Sequence, residues 1–233
     1  MRPEWLVIPA LVVPALAVAL PVAAQTLRAG VSRPGAATIL ALGDSYTIGE
    51  QVYSADRWPV QLARALRARK LDVDDPEIIA RTGWTTDELA AGIAMAAPGN
   101  SYDLVSLLIG VNNQFRGRDA ERYRDEFKSL LAQAIEFAAG RAGRVVVLSI
   151  PDWGVTPFAA GRDRAKITAG IDRFNAINRE ETLRAGARYV DVTPASREVR
   201  EGWVAADGLH PSARQYARWT ELAVGAAMAA LKN

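Results

Sequence analysis

A chain of 233 residues is long enough for one well-buried domain and too short for two large ones. Its 28 basic and 26 acidic residues leave a net charge of +2 and are interspersed, so no nucleic-acid footprint is present. The absence of cysteine excludes disulfides, thiolate metal sites and cysteine catalysis, and with one histidine a zinc site would need an improbable set of carboxylates.

Residues 1–24 stand apart. Arg2 gives a short positive start, Trp5 to Ala24 is almost wholly apolar, and Val22-Ala23-Ala24 offers small residues before Gln25. The pattern predicts a secretory signal peptide and an exported domain, periplasmic or secreted. An uncleaved anchor over residues 5–24 is the alternative, since about 20 apolar residues can span a bilayer, and a misassigned start is the third reading. Pro9, Pro14 and Pro21 would kink such an anchor, which is the one route to a membrane. Residues 25–36, broken by Gly30, Ser32, Pro34 and Gly35, read as a linker, and 37–233 as the folded domain.

Within that domain short apolar runs alternate with longer amphipathic stretches. Ala37–Leu42, Glu77–Ala80, Leu104–Ile109 and Val145–Ile150 are continuous apolar strands of the kind buried on both faces of a parallel sheet, and Tyr189–Val192 is a shorter fifth. Thr85 with Glu88 predicts a capping box at a helix start. Tyr123, Phe127, Leu130, Leu131, Ala134 and Ile135 follow helical spacing up to Gly140. Ile167, Ile171, Phe174 and Ile177 do so up to Gly186, and Ser212 opens a last helix with Tyr216, Trp219 and Ala223 inside. Five strands with intervening helices predict an α/β fold, a three-layer α/β/α sandwich on a five-stranded parallel sheet. In such sheets ligands bind beyond the carboxyl ends of the strands.

Two motifs carry the chemistry. Gly43-Asp44-Ser45-Tyr46-Thr47-Ile48-Gly49 follows the first strand, and Asp207-Gly208-Leu209-His210-Pro211-Ser212 precedes the last helix. A serine hydroxyl needs a neighbouring base to attack at neutral pH, and imidazole is the usual one. His210 is the only histidine, three residues after a carboxylate able to orient it. Ser45, His210 and Asp207 are therefore candidate nucleophile, base and orienting acid. Asp44 is read instead as a loop-holding acceptor, because adjacent side chains on one turn diverge.

Arg81-Thr82-Gly83-Trp84 and Leu108-Ile109-Gly110-Val111-Asn112-Asn113 lie between these ends. With GDS, an isolated Gly, G-x-N and D-x-x-H in this order, the chain from about Ala37 to the last helix resembles the SGNH (GDSL) hydrolase superfamily, the GDSL-like lipases and acylhydrolases. The resemblance implies a flavodoxin-like strand order 2-1-3-4-5. It also implies an oxyanion hole made by the N–H groups of Ser45 and Gly83 and the amide of Asn112. The residue after that asparagine is often Asp in the superfamily; here it is Asn113, a departure that touches loop support. Trp84, Phe115, Trp153 and Trp203 fall in loops expected at the active edge and are candidates for touching substrate, with plain packing as the alternative. Trp153–Asp163 reads as a lid or a connection.

These residues predict a serine ester hydrolase working without a cofactor or metal through an acyl-serine, on short-chain acyl or acetylated-sugar esters. Its partner is a small-molecule or carbohydrate substrate. Acyl transfer to a sugar or alcohol, and a non-catalytic envelope- or carbohydrate-binding module on the same scaffold, are the alternatives. There is no G-x-S-x-G, Walker loop or H-E-x-x-H, which argues against an α/β-hydrolase, an NTPase or a zincin.

Overall fold

Apolar runs too short for helices and flanked by Gly, Asp and Pro become the strands of one sheet. A computed structural model describes residues 26–27, 33–99, 101–198 and 200–232. The strands are β1 (Thr26–Leu27), β2 (Ile39–Gly43), β3 (Glu77–Ala80), β4 (Leu104–Leu108), β5 (Val145–Leu148) and β6 (Arg188–Val190), in the order β1-β3-β2-β4-β5-β6. β2 to β6 are mutually parallel, so the five predicted strands take the order 2-1-3-4-5. The sixth, β1, pairs antiparallel with β3 at the edge. It comes from the stretch read as a linker, as does Arg33, which forms ion pairs with Asp72 and Asp74. Asp74 is buried and its Oδ2 also accepts from the Arg33 N–H at 3.0 Å. The predicted signal peptide or anchor, 1–24, lies outside the described residues. Among those described, no helix is long and apolar enough to cross a membrane.

Between the strands run α1 (Ser45–Ile48), α2 (Trp58–Ala68), α3 (Thr86–Ala96), α4 (Val111–Phe115), α5 (Ala120–Phe137), α6 (Arg164–Arg184), α7 (Thr193–Arg197) and α8 (Ala213–Ala230). Helix α2 packs on α8, while α3 packs on α5 and α5 on α6, giving the helical layers on either side of the sheet. Every residue of β2, β4 and β5 is buried, as continuous apolar strands covered on both faces require. Trp58, Trp219, Tyr216, Tyr123 and Phe127 are the largest fully buried side chains, and Phe127, which carries no polar atom, is worth roughly 1.5–3 kcal/mol by transfer from water. The predicted capping box is present: the Thr85 N–H donates to Glu88 Oε2 at 2.9 Å.

Register fixes what matters for the site. Gly43 pairs with both Ala80 and Leu108, so the carboxyl ends of the three neighbouring strands β3, β2 and β4 are level. Residues just beyond them, Ser45, Gly83 and Asn112, therefore emerge at one edge of the sheet.

Candidate active site

The turn after β2 holds Ser45 at the first position of α1, where a backbone N–H has no partner within the helix. Such a tight turn needs Gly43: a Cβ there would lie 2.2 Å from Thr47 Oγ1 and 2.4 Å from the Leu108 carbonyl oxygen. Asp44 caps the turn, its Oδ1 accepting from the Tyr46 N–H at 3.0 Å, which is the loop-holding role read from the sequence. The carboxyl is fully buried and Oδ2 meets no donor. Desolvation outweighs the backbone hydrogen bonds and pushes its pKa up to about 7.

A raised carboxyl pKa has a definite sign in stability. Unfolded Asp44 ionises near 3.9, so the native state loses stability as pH climbs from about 4 to about 7 and loses no more above that. Asp44→Asn keeps the acceptor for Tyr46 and removes the ionisation. Its melting temperature relative to wild type should therefore rise between pH 4.5 and pH 7.5. A difference that does not vary with pH would show that Asp44 ionises normally.

His210 is nearly buried on the loop before α8, and its Nδ1 lies 2.5 Å from Asp207 Oδ2. The other carboxylate oxygen accepts from the N–H groups of Leu209 and His210, both at 3.0 Å. Partial burial pushes the Asp207 pKa up, but the bond to the imidazole and these two backbone donors outweigh it and hold it below the usual carboxylate value. An ionised carboxylate accepts only, so Nδ1 carries the proton and Nε2 is left as the acceptor. The loop is fastened at both ends: the Ala205 N–H donates to the His210 carbonyl at 2.7 Å, and the Ser212 N–H to that of Trp203 at 2.8 Å.

Gly83 takes φ +86°, a left-handed conformation that favours glycine, and an added Cβ would approach nothing closer than Arg116 Nη2 at 3.8 Å. Helix α4 and its C-cap hold this loop from the other side. Arg116 Nη2 donates to the Gly83 carbonyl at 2.7 Å, and Asn112 Nδ2 to that of Trp84 at 2.9 Å. Asn113, fully buried, accepts from the Thr86 N–H at 3.1 Å and donates to its hydroxyl at 2.7 Å. An amide thus fills the support position: it serves the backbone and the hydroxyl at once.

Ser45, Gly83, Asn112 and His210 line one cavity of about 190 Å³. Its wall is a cluster of three rings. Phe115 and Trp153 have centroids 5.3 Å apart, and Phe158 lies 6.1 Å from Trp153 and 6.3 Å from Phe115. Trp153 Nε1 donates to Gln114 at 2.8 Å, and the Phe158 N–H donates to the Gly208 carbonyl at 2.9 Å. The Trp153–Asp163 segment therefore ties α4 to the histidine loop through two 3₁₀ turns, Trp153–Val155 and Pro157–Ala159.

Two expected aromatics lie elsewhere. Trp84 gives the site only its backbone: its ring is buried against Gly92 of α3, where a Cβ would sit 2.1 Å away. Trp203 is nearly buried under the Arg200 guanidinium, 4.9 Å from its ring, and lines clefts that do not contain Ser45 or His210. Phe158, Tyr46, Thr82, Val111 and Leu209 line the cavity without having been singled out in the sequence. For Phe158 the available signal was its place in a Trp- and Pro-containing segment just after β5.

A serine at a helix start, an imidazole oriented by a carboxylate, and two further donor positions around one apolar cavity form an arrangement able to attack a carbonyl and hold its oxyanion. Residues 41–218 match the GDSL-like lipase/acylhydrolase family. The chain belongs to that family. It is a GDSL-type carboxylic ester hydrolase. Among solved structures, TesA superposes with a TM-score of 0.61 at 20% identity, over 81% of this chain and 97% of its own. The psychrotrophic esterase EstA from Pseudoalteromonas sp. gives 0.61 at 16% identity, over 84% and 99%. Axe2, an acetylxylan esterase from Geobacillus stearothermophilus, gives 0.58 at 15% identity, over 84% and 94%. At such identities the likeness carries the GDSL hydrolase fold alone. Comparison with curated proteins finds no match.

Proposed function

We propose that this GDSL hydrolase cleaves short-chain acyl esters of alcohols and acetylated sugars through an acyl-enzyme at Ser45. His210 Nε2 takes the Ser45 hydroxyl proton as Oγ attacks the carbonyl carbon. The resulting oxyanion accepts hydrogen bonds from the Ser45 and Gly83 N–H groups and the Asn112 amide. Collapse breaks the ester C–O bond, and the imidazolium returns its proton to the leaving alcohol. Water then attacks the acyl carbon with His210 again as base, and Ser45 leaves with the proton. Asp207 keeps the imidazole in the required tautomer and stabilises its cation.

The observation that carries this reading is the meeting of Ser45, Gly83, Asn112 and His210 in one cavity, with Nδ1 already engaged by Asp207. The short-chain preference is supported by the size of that cavity and by its closure with Phe115, Trp153 and Phe158. The acetylxylan esterase among the structural neighbours supports a sugar on the leaving side.

With p-nitrophenyl esters, each methylene buried in the cavity is worth about 0.8 kcal/mol, close to fourfold. Methylenes that protrude into water add little. We expect kcat/KM to peak between acetyl and hexanoyl and to fall beyond octanoyl. A steady rise through palmitoyl would mean a deep lipid channel and would overturn the short-chain reading.

A further inference from the structure

Three large rings walling a cavity are ordinary, but Phe115 and Phe158 are 47% and 38% exposed, so the wall continues out to the mouth. Arg162, itself exposed, lies against these rings just outside the residues that line the cavity. Its guanidinium carbon is 4.9 Å from the Phe158 centroid and 5.7 Å from those of Phe115 and Trp153. The turn that carries it is fixed by its own N–H, which donates to the Ala159 carbonyl at 3.1 Å.

The neighbouring arginines are committed. Arg116 holds the Gly83 carbonyl and pairs with Glu88, Arg118 pairs with Asp87 at 2.7 Å, and Arg164 donates to the Thr156 carbonyl at 3.4 Å. Among the described residues no carboxylate is paired with Arg162, which lies over the rings of Phe115, Trp153 and Phe158. An exposed cation–π contact is worth only about 0.5–1 kcal/mol and satisfies none of the guanidinium N–H donors with an anion. The five N–H donors of that guanidinium, in their planar fork, suit a carboxylate.

We infer that Arg162 is a specificity-determining residue that receives a carboxylate on the substrate at the cavity mouth, so that esters carrying negative charge remote from the scissile carbonyl are favoured. The inference rests on the acyl-Ser45 reading and deepens it by naming a substrate class. The charge can sit on the acyl or on the alcohol part of the ester, so each needs its own matched pair of esters.

Phenyl butyrate against monophenyl succinate tests the acyl side, and phenyl acetate against 4-acetoxybenzoate the alcohol side, each as kcat/KM at low salt with the uncatalysed rate subtracted. In at least one pair Arg162→Gln should lower the anionic-to-neutral ratio about three- to tenfold, the range of a solvent-exposed charge contact. Arg162→Glu should lower it further, Arg162→Lys less, and added salt should shrink the difference. A ratio unchanged by all three substitutions in both pairs would overturn the inference. So would an equal loss on neutral and anionic esters, which would make Arg162 a packing residue. If the folded wild type cleaves none of the four esters, the acyl-serine reading itself fails, an outcome distinct from either.

Discussion

Ser45→Ala and His210→Ala should each lower kcat by roughly 10⁵–10⁶-fold while the protein stays folded, and the double variant should be hardly worse than either. In the proposed mechanism the two side chains act in one step: the hydroxyl is inert until the imidazole takes its proton, so losing either leaves nothing for the other to do. Loss at His210 has no internal remedy, since the chain contains no second histidine. Both residues are buried; Ser45→Ala removes one oxygen and should keep the wild-type melting temperature, whereas His210→Ala deletes a ring packed edge-on against Tyr46 and bonded to Asp207 and should lower it by a few degrees. A loss in kcat of less than tenfold for either variant would mean that another group does its work.

The second large effect belongs to Asn112. If Asn112 has the proposed oxyanion role, replacement by alanine should lower kcat by about 10²–10³-fold with KM almost unchanged, because such a donor acts on charge that develops in the transition state. Its amide also holds the Trp84 carbonyl, and an –NH₂ group has two protons to serve both tasks. The variant should not lose the loop, since Arg116 still grips the Gly83 carbonyl and Asn113 still ties Thr86. A loss confined to KM would make Asn112 a substrate-binding residue and remove it from the oxyanion hole.

The parts of this site that follow from backbone position were legible in the sequence. Ser45, Gly83 and Asn112 each come directly after a strand whose apolar run marks it as buried, and in a parallel sheet that alone brings them to one edge. The Asp207–His210 spacing is likewise local, closing one turn in which a single carboxylate meets two backbone donors and the imidazole. What could not be read was the direction of side chains in irregular loops. Trp84 directly follows Gly83, yet its ring turns away because Gly92 on α3 leaves room for it. Trp203 is close in sequence to Asp207, but its ring lines clefts that contain neither Ser45 nor His210. Phe158 reaches the cavity through a hydrogen bond to Gly208, a long-range contact in a segment without periodicity. Two residues of β1 are too few to show any alternation, so a strand hidden in an apparent linker left no pattern to find.

The central claim is that Ser45 is the nucleophile, and labelling with a fluorophosphonate tests it most directly. Intact mass should show a single phosphonyl adduct on the wild-type protein, peptide mapping should place it at Ser45, and Ser45→Ala should remain unlabelled under the same conditions. An adduct at any other residue, or one that persists in Ser45→Ala, would contradict the account.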